Sequence, residues 1–189
     1  IGNESSGELT VTNCIFVDNI ADSDSDRMCQ VRRNSTFVNC SFVGNDQGDQ
    51  DLIYNNANTT DTDGDGEDDE SSDITRVINC LFVDNIIGGG DDVLGSRNAD
   101  FSIAAINCLF FNNTTQGGDP ADNTQRPDDE SGSVNADPLL DQATLLPGAG
   151  SPAIDGGVDP ADFGIELLTD FSGNARPQGA GYDIGADEQ

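Results

Sequence analysis

Asn13-Cys14-Ile15-Phe16-Val17-Asp18-Asn19 is the first of four copies of one short motif. The motif is Asn-Cys-x-Phe, with a second Asn three residues after the Phe. The other copies are Asn39-Cys40-Ser41-Phe42-Val43-Gly44-Asn45, Asn79-Cys80-Leu81-Phe82-Val83-Asp84-Asn85 and Asn107-Cys108-Leu109-Phe110-Phe111-Asn112-Asn113. Successive motif cysteines are 26, 40 and 28 residues apart. A period of this size indicates a solenoid or another array of stacked units.

Each copy predicts a short β-strand, because it is rich in β-branched and aromatic residues and contains no Pro. Residues two apart share a face of a strand, so Cys14, Phe16 and the preceding Thr12 are expected to point inward together. The residues equivalent to Thr12 in the other copies are Val38, Ile78 and Ile106. The alternate positions are apolar as well, so the opposite phase stays open.

Stacking of the copies about 4.8 Å apart, the spacing of paired strands, would place like residues in columns. The trailing Asn suits a turn, because Asn tolerates left-handed backbone angles. Three columns are expected, namely Cys14, Cys40, Cys80 and Cys108; Phe16, Phe42, Phe82 and Phe110; and Asn19, Asn45, Asn85 and Asn113.

Two further strands are predicted between successive motifs. One set is Met28-Cys29-Gln30-Val31, Leu52-Ile53-Tyr54 and Val93-Leu94, and the other is Ser35-Thr36-Phe37-Val38, Thr75-Arg76-Val77-Ile78 and Phe101-Ser102-Ile103-Ala104. Three short strands per turn are typical of a parallel β-helix, in which stacked coils bury each other's apolar faces. We therefore predict an all-β, right-handed, single-stranded parallel β-helix with coils over residues 1–136, a polar loop over 114–136, and a terminal coil with an irregular cap over 137–189.

The composition limits the partners of the chain. Thirty-six acidic and seven basic residues give a net charge of −29, and there is no His. This charge excludes binding to nucleic-acid phosphates and argues against docking on an anionic membrane. No apolar run is long enough for insertion into a membrane. Two explanations of the acidity stay open: a high-salt environment, or a surface screened by calcium.

Five cysteines are an odd number for a disulfide framework. Since four of them occupy the inward position of the motif, buried thiols acting as small apolar side chains are favoured, with disulfides between neighbouring coils as the alternative. The chain begins at Ile1 without a signal-peptide pattern. We expect it to be a processed or excised piece of a longer product.

The insert 61–73 carries the sharpest chemical motif. Its run Asp61-Thr62-Asp63-Gly64-Asp65-Gly66-Glu67-Asp68-Asp69-Glu70 resembles the calcium loops of EF-hand and dockerin-like proteins. The resemblance implies a calcium ion held by Asp61, Asp63, Asp65, Asp69 and the backbone carbonyl of Glu67. Ser72 stands where that family has a bidentate Glu, and no amphipathic helix flanks the loop. We expect a structural calcium clip, with a solvated acidic loop as the alternative.

The last third of the chain carries a second resemblance. Asp137-Pro138-Leu139-Leu140, the run 147–157, Asp170-Phe171-Ser172-Gly173-Asn174-Ala175-Arg176-Pro177 and Gly181-Tyr182-Asp183-Ile184-Gly185-Ala186-Asp187-Glu188 are similar to the terminal region of secreted prokaryotic parallel β-helix proteins, the group called choice-of-anchor Q. With the repeats, the resemblance spans nearly the whole chain. It implies a pectate-lyase-like solenoid and an extracellular or cell-surface location. The irregular turns could cover the open strand edges of the last coil.

The run Gly88-Gly89-Gly90-Asp91-Asp92 is similar to the paired catalytic aspartates of polygalacturonases. That family also needs further acids and a His, Arg and Lys set, and this chain has neither His nor Lys. The run is therefore interpreted as a turn.

We expect a non-catalytic structural or adhesive module, stabilised by calcium and able to stack end to end into a filament. The alternative is a polysaccharide lyase or glycoside hydrolase acting on acidic glycans, whose base would come from Arg32, Arg33, Arg76 or Arg97. A third hypothesis is passive binding of extracellular glycans through Tyr54 and Tyr182. No catalytic residue is assigned.

Overall fold

A computed structural model describes residues 8–21, 27–31, 34–56, 74–97, 103–124 and 130–189. The first sheet contains β1 (Leu9–Thr12), β4 (Ser35–Val38), β7 (Thr75–Ile78), β11 (Ile103–Ile106) and β15 (Glu130–Ser131). The second contains β2 (Ile15–Val17), β5 (Ser41–Val43), β8 (Leu81–Val83), β12 (Leu109–Phe111) and β16 (Val134–Asn135). The third contains β3 (Cys29–Val31), β6 (Ile53–Asn55), β10 (Asp92–Ser96) and β14 (Asp122–Thr124). The fourth contains β9 (Ile86–Ile87) and β13 (Thr114–Thr115).

All strand pairs within these sheets are parallel, and the chain visits the first, second and third sheets in turn before it returns to the first. One such circuit is a coil, numbered here so that β2 lies in coil 1 and β16 in coil 5. The predicted parallel β-solenoid is therefore confirmed.

The motif aligns with itself from coil to coil. Phe16 pairs with Phe42, Phe42 with Phe82, and Phe82 with Phe110. Their rings stack with centroids 4.6, 5.0 and 5.0 Å apart and nearly parallel planes. The motif cysteines lie in the same apolar interior, and all five cysteines of the chain are free thiols. Stacked aromatic rings add to the stabilisation that burial alone provides.

The motif begins at a corner between the first and second sheets. The Asn before each motif Cys has a positive φ of 47 to 50°: Asn13, Asn39, Asn79 and Asn107. This left-handed residue resets the alternation of side chains, so the predicted phase before the Cys was wrong. The first-sheet residues in the interior are Val11, Phe37, Val77, Ile103 and Ala105, whereas Thr12, Val38, Ile78 and Ile106 lie outside that cluster.

Coil 5 is a polar version of the motif. Val134 pairs with Leu109 and Asn135 with Phe110, so Asn135 stands where the other coils have Phe. Ser133, one residue before Val134, stands where the other coils have Cys. Its hydroxyl accepts a hydrogen bond from the Cys108 backbone N–H at 3.1 Å. The prediction of a loop over 114–136 was wrong, since this segment contains β13 to β16. A terminal coil faces solvent on one side, which explains why polar residues replace the repeated Cys and Phe.

Residues 137–189, called the C-terminal strap, contain a short 3₁₀ helix, Pro160–Phe163, and isolated β-bridges. Ala153 and Ile184 of the strap pack on the outer face of the second sheet, against Val43, Leu81, Val83 and Leu109. Its polar contacts extend from coil 4 to coil 1. The strap therefore covers the flank of the coils, a position that the sequence did not predict.

Candidate functional site

The trailing asparagines of the motif form an inner Asn column, which consists of Asn19, Asn45, Asn85 and Asn113. In each step the backbone N–H and the side-chain Nδ2 of one Asn donate to the Oδ1 of the next. For Asn45 on Asn85 these distances are 3.1 and 2.9 Å. The Nδ2 of each later Asn also donates to the carbonyl of the preceding motif Phe, as Asn85 does to Phe42 at 3.0 Å. The column satisfies polar groups inside the solenoid, where an unpaired amide is costly.

The left-handed asparagines form an outer Asn column, Asn13, Asn39, Asn79 and Asn107, which holds the strap. Asn79 makes a two-bond pair with Val158, since its Nδ2 donates to the Val158 carbonyl at 2.8 Å and its Oδ1 accepts from the Val158 N–H at 2.9 Å. In the remaining contacts the side-chain Nδ2 donates to backbone carbonyls: Asn13 to Thr169, Asn39 to Asp183 and Gly185, and Asn107 to Gly156. One residue type thus turns the chain and docks the strap.

The strap has its own buried ion pair, between Arg176 and Glu188. Arg176 is 5% exposed, and its Nη2 also donates to the Gly185 carbonyl at 2.8 Å. Glu188 is 4% exposed and accepts from the backbone N–H groups of Asp183 and Gln178. Such additional hydrogen bonds offset part of the cost of burying two charges, although the Nε of Arg176 has no hydrogen-bond partner among the described residues. Residues 170–177 and 181–188, two of the segments that resemble the choice-of-anchor Q group, are therefore joined by this ion pair and its hydrogen bonds.

An acidic cluster lies at the start of the third sheet. Asp51 precedes β6 and is 4% exposed, and its Oδ1 accepts from the backbone N–H of Asp92 at 2.9 Å. Asp92 pairs in register with Asp122 of the next coil. A Cβ on Gly95 would lie 2.0 Å from the Asp51 Oδ1. The Asp51 carboxylate therefore packs directly against Gly95, at a position that has no space for a larger residue. Carboxylates from coils 2, 3 and 4 thus share one edge of the solenoid.

Burial raises the pKa of two of these carboxyl groups. The pKa of Asp51 is raised to about 6 by burial, with a further contribution from the negative charge of Asp91; the Asp92 N–H and the Arg27 guanidinium act in the opposite direction. The pKa of Asp92 is also raised to about 6, by burial and then by the charges of Asp51 and Asp122. Carboxyl groups with a pKa near 6 can both donate and accept protons close to neutral pH, as general acid–base catalysis requires.

Arg27 is the cation of this cluster, and its guanidinium carbon lies 4.0 Å from the centroid of the Tyr54 ring. Such stacking is a cation–π contact, and it leaves one face of the Tyr54 ring covered. Arg27 and Asp51 were not predicted as site residues, because neither belongs to a sequence motif. Only the stacking of coils brings Asp51 to Asp92 across 41 residues of sequence.

The Gly88–Asp92 run forms the predicted turn. The Gly88 carbonyl accepts from the Asp91 N–H at 3.4 Å, and Gly90 has a φ of 105°. The predicted calcium ligands Asp61, Asp63, Asp65, Glu67 and Asp69 lie outside the described residues. Within the described ranges, no group of three His, Cys, Asp or Glu side chains could hold a metal ion.

Among the described residues, no helix has the length and apolar character needed to cross a membrane. The chain matches no protein-family model, and neither a curated protein nor a solved structure shows significant similarity to it. The resemblance to the choice-of-anchor Q group and the extracellular location that it implies therefore stay predictions.

Proposed function

We propose that the chain is a non-catalytic structural or adhesive module of the cell surface or the extracellular space. The observation that carries this proposal is the continuous interior, in which four Phe rings and four Asn amides stack from coil to coil. A solenoid of this kind transmits force along its axis, because each coil is bonded to the next by backbone and side-chain hydrogen bonds.

Single-molecule pulling between the two termini tests this role. We expect unfolding at high force in discrete steps. Phe82→Ala should lower the unfolding force, because it removes the ring that stacks on both neighbours, whereas Phe171→Ala, an exposed strap residue, should leave it nearly unchanged. A chain that extends at low force without steps would contradict the structural role. Electron microscopy of the same sample tests for filaments formed end to end.

The proposal includes calcium bound by the Asp61–Asp69 loop. This insert joins β6 to β7, so a bound ion would fasten the connection between coils 2 and 3. We expect a chelator to lower the melting temperature by about 5 °C or more when the loop is loaded. The double variant Asp63→Asn, Asp65→Asn should abolish this shift, while Asp119→Asn, in an exposed turn, should retain it. An unchanged melting curve would contradict the calcium clip.

Glycan hydrolysis is a second candidate, favoured by Asp51 and Asp92, which belong to one acidic cluster and whose carboxyl pKa values are both raised to about 6. One carboxyl could donate a proton while its ionised neighbour activates a water molecule. Turnover of uncharged and uronic-acid polymers at pH 5 to 7 tests this candidate. Loss of activity in both Asp51→Asn and Asp92→Asn, with the exposed strap variant Asp162→Asn as the control, would support hydrolysis. The absence of turnover in the wild-type chain would eliminate it.

A further inference from the structure

The inner Asn column has a direction, which makes its two ends chemically different. At every step two N–H groups of one coil converge on a single amide oxygen of the next. Asn19 donates to the Oδ1 of Asn45 at 3.1 and 2.8 Å, and Asn85 donates to the Oδ1 of Asn113 at 3.1 and 2.8 Å. The column therefore ends in coil 4 with donors that need an acceptor.

Coil 5 does not supply this acceptor. The pairing of coil 5 with coil 4 ends at Asn135, and within the described residues no coil 5 side chain accepts a hydrogen bond from Asn113. The Nδ2 of Asn113 donates to the Phe82 carbonyl at 3.0 Å, as in the lower coils. Among the described residues, neither its second Nδ2 hydrogen nor its backbone N–H has an acceptor. Asn113 as a whole is 7% exposed.

Asn113 lines a cavity of about 600 Å³ between coil 4, the turn that leads into β14, and coil 5. This size lies within the usual range for small-ligand sites. Phe111, Pro120 and Ala121 contribute apolar walls.

Two further amides complete the lining. The Nδ2 of Asn123 donates to the Oδ1 of Asn135 at 3.0 Å, which orients both side chains across the cavity. Within the described chain, the Asn123 Oδ1 and the Asn135 Nδ2 have no partner of their own. The cavity thus offers a donor and an acceptor beside the pair of donors on Asn113.

We propose that this cavity binds a neutral acetamido sugar. The acetamido carbonyl would take the place of the missing Asn Oδ1, because the same two N–H groups bind an amide oxygen in every lower coil. Ring hydroxyls would pair with the amides of Asn123 and Asn135, and the acetyl methyl would contact the Phe111 wall. The net charge of −29 and the cavity-lining Asp137 disfavour an anionic ligand. This binding site goes beyond the structural role and does not depend on it.

Titration calorimetry on the full chain with N,N′-diacetylchitobiose tests the proposal, with cellobiose as the matched ligand that lacks acetamido groups. We expect saturable binding of the first sugar and affinity for the second that is weaker by about tenfold, the effect of losing hydrogen bonds to buried donors. Equal affinities, or no binding of the acetamido sugar, would overturn the proposal.

A pair of variants assigns binding to the end of the column. Asn113→Asp and Asn19→Asp make the same chemical change at the two ends of the column. The first removes the donor to the Phe82 carbonyl, and the second removes the donor to Asn45 at an exposed position outside the cavity. Only Asn113→Asp should lose affinity, by about tenfold or more. Equal loss in both variants would overturn the assignment. Asn135→Ala, at an exposed position, provides a folded variant that should also weaken binding; unchanged affinity there would contradict the proposed pose.

Discussion

The two Asn columns show how one residue type makes different contacts before and after the same strand, since Asn13 precedes β2 and Asn19 follows it. The inner column repeats itself, since each Asn binds the next copy of the same Asn. The outer column instead binds backbone groups of the strap, which has no repeat. Contacts between copies of a repeat can therefore be predicted from the sequence, because the repeat shows which residues become neighbours. Contacts with a segment that has no repeat, such as the strap, cannot be predicted in this way.

The largest effect is expected from breaking the inner column. Asn85→Ala removes the side-chain bonds to Phe42 and Asn113 and leaves two donors of Asn45 without an acceptor, all inside the solenoid. We expect a loss of about 3 to 5 kcal/mol in the free energy of unfolding, from several buried groups left unpaired. Urea unfolding followed by circular dichroism measures it.

Asn19→Ala is the control in the same column, because Asn19 is exposed and lies at the first step. Its loss should stay below about 1 kcal/mol. A similar cost for Asn19→Ala and Asn85→Ala would show that the burial of the column does not determine its contribution.

A smaller and local effect is expected in the outer column. Asn79→Gly removes the two-bond pair with Val158, and Gly accepts the φ of 50° without strain. We expect a loss of about 1 to 2 kcal/mol and faster hydrogen exchange at the Val158 amide. Exchange in β8 should change little. Equal acceleration in β8 and the strap would show that the strap and the coils unfold as one unit.

Lowering the pH tests the third sheet, to which neither column belongs. The pKa of Asp51 is about 6 in the folded chain, against about 3.9 for an unfolded Asp. The folded state therefore binds more protons between these values, so stability rises as the pH falls from 7 towards 4. Asp51→Asn should raise the free energy of unfolding at pH 7 by on the order of 2 kcal/mol and flatten this dependence.

Unfolding in urea at pH 5, 6 and 7 measures the pH effect, with exposed Asp162→Asn as the control. A stability that falls over this range on acidification, in the wild-type chain, would contradict the burial of Asp51. Hydrogen exchange at Val158 should be the same in Asp51→Asn and the wild-type chain, since the acidic cluster lies on the third sheet and the strap packs on the second.

The smallest effect is a difference in thiol reactivity between the buried cysteines of the interior and Cys14 of coil 1, and it needs no substitution. Cys29, Cys40, Cys80 and Cys108 are buried, and Cys14 is partly exposed. Burial raises the pKa of Cys29 to about 12, and the hydrogen bond to Cys40 together with burial also raises the pKa of Cys14, so access of the reagent decides the order of labelling. A thiol reagent followed by mass spectrometry should label Cys14 first and the other four only after unfolding. Uniform labelling of the native chain would contradict the packed interior.

Much of the fold was predictable from four copies of a seven-residue motif. The bounds of β4 and β7 agree with the predicted strands, and the Phe rings lie in a stack. The phase before the Cys was not predictable, because a single left-handed Asn resets the alternation. Coil 5 was missed because its polar residues, such as Asn135 for Phe, no longer match the motif.

The candidate sites were less accessible to sequence reasoning. A calcium loop over Asp61–Asp69 could be predicted from the spacing of acidic residues that are close in the chain, and it stays a prediction. Asp51 and Arg27 belong to no motif, and their environment arises only when coils stack. The open donors of Asn113 were hidden for the same reason, since an Asn at the end of a column looks identical in sequence to one in the middle.

By itself, the sequence determined that this chain forms stacked coils of short parallel strands, because a periodic apolar motif can be buried only against another copy of itself. Tertiary structure alone decided where the strap lies, which aspartates meet, and where the Asn column stops. Those outcomes depend on contacts between residues without a shared period, and such contacts exist only after the coils have been brought into register.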